Sequence, residues 1–136
     1  MVRLNELRIG NHVLCGSMAE YIPKAVREVG AVRHDVMATR VDAEHPEFDE
    51  YTPAEIDGLE ITGAMLTAQG WHQSKLSPTR YIYADKEEYN ERFVWDASTK
   101  TATISAVELI ERTGCIYLHQ LENAIYDSKS EYRFTL

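Results

Sequence analysis

The sequence predicts an α+β fold, and three observations carry that prediction. Residues 117–126 repeat apolar side chains at helical spacing, residues 80–107 alternate at strand spacing, and residues 4–41 break into short alternating runs between turn residues. The expected architecture begins with short N-terminal strands curled as an SH3-like small barrel. An antiparallel β-meander follows, with one C-terminal helix packed on the sheet. Two modules sharing one core are expected, residues 1–73 with two short helical turns and residues 74–136 with the meander, helix and a final strand.

The N-terminal strands come first. Leu7 and Ile9 alternate around Arg8, Gly10-Asn11 makes a turn or bulge, and His12-Val13-Leu14 extends until Gly16-Ser17 closes the element. Pro23 argues against a central strand at its position, because it cannot donate to a ladder. Over Ala25–Val32, Val26, Glu28 and Gly30 share one side while Arg27, Val29 and Ala31 share the other. A further strand is expected across His34–Val41. Asp42–Glu50 then reads as a solvated acidic loop, since it lacks the alternating ligands of a calcium loop.

Thr52-Pro53-Ala54-Glu55 has the letters of a capping box with proline at the first helical position, and Gly58 leaves room for one turn only. Thr62 caps a second short helix across Gly63–Gln69, with Ile61 and Leu66 at staple positions. Gly70 stands at its expected end, and Trp71 follows where it can fold back. Ser74–Thr79, containing Pro78, marks the internal boundary.

Beyond it, Tyr81 and Tyr83 alternate with Arg80, Ile82 and Ala84, and Asp85-Lys86-Glu87-Glu88 reads as a turn. Phe93 and Trp95 share a strand face, Asp96–Lys100 turns the chain, and Ala102, Ile104 and Ala106 share the next. Ser105–Glu108 spells another capping box, yet it sits inside a running β pattern, so the strand is expected to continue to about Glu111. From Tyr117, the residues Leu118, Leu121 and Ile125 form one helical stripe, and Asp127–Ser130 ends it. Glu131–Leu136 switches to a period of two and is expected to join a sheet, with Tyr132, Phe134 and Leu136 on one side.

Composition limits the function. The chain has 136 residues, 44% of them hydrophobic, which is ample for a packed interior. Fourteen basic residues against 22 acidic ones leave a net charge of −8, which disfavours a broad phosphate-binding surface. Cys15 and Cys115 are far apart and lack metal-like spacing, so two reduced thiols are favoured over a bridge. The start, MVRLNELRIGNHVL, holds no apolar run suited to a signal peptide or membrane span, and a cytoplasmic location with no membrane partner is expected.

The blocks LRIGNHVL, Leu59-Glu60-Ile61-Thr62 through Gly70-Trp71, and IYLHQLENAIYD resemble an uncharacterised family of small proteins. That family is abundant in Bacteroidetes genomes, their phages and integrated elements. Its members show LRIGNYV near the start, a PLTEEWLLKFGF-like helix in the middle and YVHQLQNLYF near the end. Here Gly63-Ala64-Met65 replaces the acidic first turn of the middle helix, and Asp-Ser-Lys-Ser after Tyr126 replaces a more apolar run. The resemblance implies a domain type and a phage or mobile-element setting, and it implies no activity.

His119, Asn123 and Tyr126 are the candidate binding residues. They are spaced i, i+4, i+7 on one helix face, where a histidine, an amide and a phenol can hold a small polar ligand. The structural alternative, in which they satisfy the neighbouring sheet, is favoured. His12, His34, His45 and His72 show no metal-binding spacing, and neither Ser17 nor Ser98 has the surroundings of a nucleophile, so no catalytic residue, metal or cofactor is expected. Asp85, Glu87 and Glu88 imitate paired carboxylates, but a charged turn explains them. Tyr81, Tyr83, Tyr89, Phe93 and Trp95 would make a base-stacking platform on an exposed face, whereas packing under the helix is favoured. The expected role is a non-enzymatic accessory protein that binds an unknown protein partner. A small-barrel nucleic-acid-binding module is the alternative, disfavoured by the net charge.

Overall fold

The computed structural model describes residues 2–17, 22–32, 37–40, 48–84 and 91–136. They form an α+β protein of two antiparallel five-stranded sheets and one main helix near the C-terminus. The chain divides into two compact units, one running through Leu59 and the other spanning Glu60–Thr135. The division therefore falls earlier than the expected boundary at Ser74–Thr79. Ile61, the helix after it and Trp71 pack with the second unit, because the chain enters that unit through a bridge between Glu60 and Tyr117 and a bond from the Ile61 N–H to the Ile116 carbonyl (3.0 Å).

The first unit holds β1 (His12–Ser17), β2 (Ile22–Val32), β3 (Met37–Arg40), β4 (Phe48–Tyr51) and β5 (Ile56–Gly58), in the order β4-β3-β2-β1-β5. Strands β1 to β4 form a meander, and β5, entered through a 3₁₀ turn at Pro53–Glu55, returns to pair with β1. Among the described residues no ladder joins β4 to β5. The capping box forms as the sequence predicts, with the Glu55 carboxylate accepting from the Thr52 N–H (3.0 Å) and hydroxyl (3.1 Å).

Long β2 serves both neighbours, and bulges bend the ladders between Cys15 and Ser17 and between Val29 and Ala31. Gly10, at φ 93°, makes the turn before β1, where its N–H donates to the Val29 carbonyl (2.8 Å). The inner face carries Val13, Cys15, Val29, Tyr51 and Ile56, with Val26 and Glu28 outside, so the expected alternation of β2 holds.

Pro23 lies in the part of β2 that β3 does not reach, since that ladder begins at Glu28, and where the ladder to β1 is irregular, so it holds no central position. One expectation is corrected here. The end of the acidic stretch, Phe48–Glu50, is the start of β4, an edge strand where charges are tolerated. Residues 42–47 of that stretch lie outside the described residues, as do His34 and the Asp85–Glu88 turn.

The second unit begins with α1 (Gly63–Ala68). The Thr62 hydroxyl accepts from the Met65 N–H (3.2 Å), and Ile61 and Leu66 are both buried. Gly70 at φ 90° ends the helix, with the Trp71 N–H reaching back to the Leu66 carbonyl (3.0 Å) and the Gly70 N–H to Thr67 (3.2 Å). Then come β6 (His72–Gln73), β7 (Arg80–Ala84), β8 (Arg92–Asp96), β9 (Thr101–Ser105) and β10 (Leu109–Arg112), ordered β10-β9-β8-β7-β6. The strand expected to run on to Glu111 instead breaks at Ala106–Glu108 and folds back, pairing Leu109 with Ser105 and Ile110 with Ile104. The alternation of Ala102 and Ile104 holds in β9, where both are buried, but Ala106 falls in the turn, which lacks glycine or proline to announce it.

Helix α2 (Leu118–Asp127) packs over β9 and β10, burying Leu118, Leu121, Ala124 and Ile125. The Gln120 side-chain oxygen caps it by accepting from the Ile116 and Tyr117 N–H groups (both 2.9 Å). Beneath lie Phe93, Trp95, Ala102 and Ile104, which the register places on one face.

The expected final strand does not form. Residues 131–136 join no ladder, yet part of the alternation holds: Phe134 is buried and Tyr132 half-buried, while Glu131, Arg133 and Thr135 are exposed, and so is Leu136, expected on the side of Phe134. A side chain replaces the missing strand partner. Gln69 accepts from the Thr135 N–H (3.0 Å) and donates to the Thr135 carbonyl (2.8 Å). Trp71 stacks on Phe134 (6.1 Å, 20°), and its indole N–H donates to the Tyr132 hydroxyl (3.0 Å), which donates in turn to the Gln69 carbonyl (3.2 Å).

Candidate functional site

The three candidate residues do not open onto one surface. His119 is fully buried in the first turn of α2, its ring parallel to that of Tyr117 at 5.9 Å. Asn123 is half-buried, and Tyr126 is 57% exposed. Seven residues of helix separate His119 from Tyr126, roughly 10 Å along the axis. Shared angular position therefore leaves one end covered and the other in solvent.

Tyr126 faces a recess. It lies where the last turn of α2 gives way to the tail, has a volume of about 250 Å³, and is lined by Tyr126, Lys129, Ser130, Glu131 and Arg133. Its walls follow from how the helix ends. The buried Ser128 hydroxyl donates to the Ile125 carbonyl (2.6 Å), its N–H reaches the Ala124 carbonyl (3.1 Å), and the Lys129 N–H reaches that of Tyr126 (3.0 Å). Closing the helix this way puts Lys129 at φ 69°, a left-handed position that glycine usually fills.

The Ser130 hydroxyl accepts from the Tyr132 N–H (3.1 Å), turning the chain so that Arg133 comes back over the helix. Its guanidinium lies above the Tyr126 ring at 5.4 Å, and Nη1 donates to the carbonyls of Ser130 (3.0 Å) and Tyr132 (2.6 Å). Nearby, Arg112 pairs with Asp127 (3.0 Å), and the Glu108 N–H donates to the Ser128 carbonyl (2.9 Å). These bonds hold the β9–β10 hairpin, with Val107 78% exposed at its turn, beside the helix end.

The recess joins one of the residues singled out from the sequence to four that were not. Helical periodicity could point to Tyr126, but Lys129, Ser130, Glu131 and Arg133 lie past the helix end, where periodicity stops. The available signal was the lysine at a position that favours glycine.

The other chemically interesting residues are accounted for by structure. Burial pushes the thiols of Cys15 and Cys115 up to about 12, so neither is a nucleophile near neutral pH. Ser98 closes a turn by donating its hydroxyl (2.7 Å) and N–H (2.9 Å) to Asp96 Oδ1, and those two bonds lower the Asp96 carboxyl to about 2. Phe93 and Trp95 are buried and Tyr81 and Tyr83 half-buried, with Tyr83 stacked on Phe93 (5.3 Å) and Tyr81 6.3 Å from Trp95. That set is core, and Tyr89 lies outside the described residues. His12 is buried and His72 exposed, and His45 falls outside the described residues. Among the described residues no three His, Cys, Asp or Glu side chains gather as a metal site, and no helix is long and apolar enough to cross a membrane.

Comparison with known proteins finds no family model, no curated protein and no solved structure that matches the chain.

Proposed function

We propose that the chain is a non-enzymatic accessory protein of a phage or mobile genetic element, acting in the cytoplasm by binding another protein through the recess at the end of α2. The observation that carries the reading is Arg133 laid over the exposed ring of Tyr126. Tyrosine and arginine dominate the energetics of protein interfaces, because both present large, rigid, amphipathic surfaces. The resemblance of the LRIGNHVL and IYLHQLENAIYD blocks supplies the genomic setting.

The test is cross-linking and pull-down of the tagged chain from its native host, with Tyr126→Ala/Arg133→Ala beside the unaltered protein. A discrete partner recovered by the unaltered chain and lost from the double variant is expected. Identical recovery by both proteins, or turnover of a substrate that depends on His119, would overturn the reading.

A second reading, a small-barrel nucleic-acid-binding module, is favoured by the strand order of the first unit. The burial of Phe93 and Trp95 and the net charge of −8 weigh against it. Binding of single-stranded DNA or RNA that weakens steeply with salt would establish it.

A further inference from the structure

We infer that the recess takes a carboxylate side chain from an acidic peptide segment of the partner, gripped by Arg133 and Lys129 while an apolar neighbour in the peptide rests on Tyr126. This rests on the interaction reading and adds the chemistry of what is bound.

The argument starts from the donors of Arg133. Both carbonyl bonds use Nη1, which fixes the guanidinium plane against the Tyr126 ring. The edge made by Nε and Nη2 bonds to no described residue. That edge is the one which meets a carboxylate with two parallel bonds. A guanidinium already immobilised on its opposite edge gives up little further freedom on binding.

Lys129 supplies the second cation, and its ammonium joins no ion pair among the described residues. Its left-handed backbone carries a steric cost that glycine would avoid. Strain of this kind persists where the side chain has a use. The negative end of α2 does not oppose an anion here, because the carbonyls of Ala124, Ile125 and Tyr126 are all taken up by the N–H groups of Ser128 and Lys129.

Glu131 lines the same recess and sets the charge it accepts. With two cations and one carboxylate in the walls, a single negative charge is balanced, while a dianionic phosphate meets repulsion from Glu131. The rest of the chain, at net −8, repels a nucleic-acid backbone more strongly than it repels a short peptide. A carboxylate next to an apolar side chain therefore fits better than a phosphate.

The test uses the full chain and fluorescence anisotropy. The probe is a short labelled peptide, capped at both ends, with two glutamates flanking a phenylalanine; its glutamine counterpart is the control. The glutamate peptide should bind, and the glutamine peptide should bind about tenfold more weakly or not at all. Arg133→Ala should weaken binding by about tenfold, and Arg92→Ala, on β8, should leave it unchanged.

Lys129→Gly separates fold from function: it should raise the melting temperature while weakening the peptide about threefold. Glu131→Gln should tighten binding. Equal affinity for the two peptides, indifference to Arg133→Ala, or tighter binding of a short oligothymidine through the same residues would each overturn the inference. A partner captured through Tyr126 and Arg133 but not displaced by excess glutamate peptide would also overturn it, while leaving the interaction reading standing.

Discussion

At the scale of single residues, Gly63 and His119 show what a sequence alone conveys. The glycine at position 63 has a cause that no periodicity reveals: a side chain there would collide with the hydroxyl and ring of Tyr81. Gly63→Ala should therefore destabilise the protein by about 1–3 kcal/mol despite alanine's better helix propensity, read as a lower urea midpoint. In a Tyr81→Ala background the same Gly63→Ala change should cost less, because the clash is gone. For His119, the angular position was legible and the depth was not. Spacing along a helix reports which residues share a face, but whether the first turn is covered depends on packing that only the folded chain provides.

At the scale of elements, the sequence was read best where local rules and burial agree. Both caps of α1, the 3₁₀ turn at Pro53 and the stripe of α2 form as their letters predict. Misreadings occurred where a tertiary partner stands in for a local one. The tail from Glu131 has a strand's alternation and no strand beside it, because the Gln69 carboxamide, 66 residues away, supplies the donor and the acceptor. Removing that surrogate with Gln69→Ala should cost about 1–2 kcal/mol and loosen the tail selectively. Hydrogen exchange at the Thr135 amide should accelerate well beyond exchange in β8. Equal acceleration in both would mean that Gln69 serves the whole unit instead.

At the scale of the whole molecule, stability should decline at both ends of the pH range for identifiable reasons. Asp96 has its carboxyl lowered to about 2 by the two bonds from Ser98, so its contribution is complete above pH 4 and lost as pH falls through 2. Asp96→Asn should flatten the acid limb of a melting-temperature profile. The two buried thiols act in the opposite direction. The folded chain holds their protons up to about pH 12, whereas the unfolded chain releases them near 9, so stability should fall across that window. Replacing both with alanine should remove the thiol part of that decline, apart from any uniform loss due to the smaller side chains. Neither limb was readable beforehand, since burial and turn geometry, rather than residue type, set these proton affinities.

The return of β5 to β1 also sets an order in time. During synthesis Cys15 cannot meet Ile56 until the intervening chain has been laid down, so β2 is available to pair with β1 before β5 exists to cover its other edge. Pairings so distant along the chain slow the search for the native state, and refolding of the first unit should take milliseconds to seconds. During that interval the bare edge is the place where nascent chains would stick to one another, and crowding at high expression would find it first.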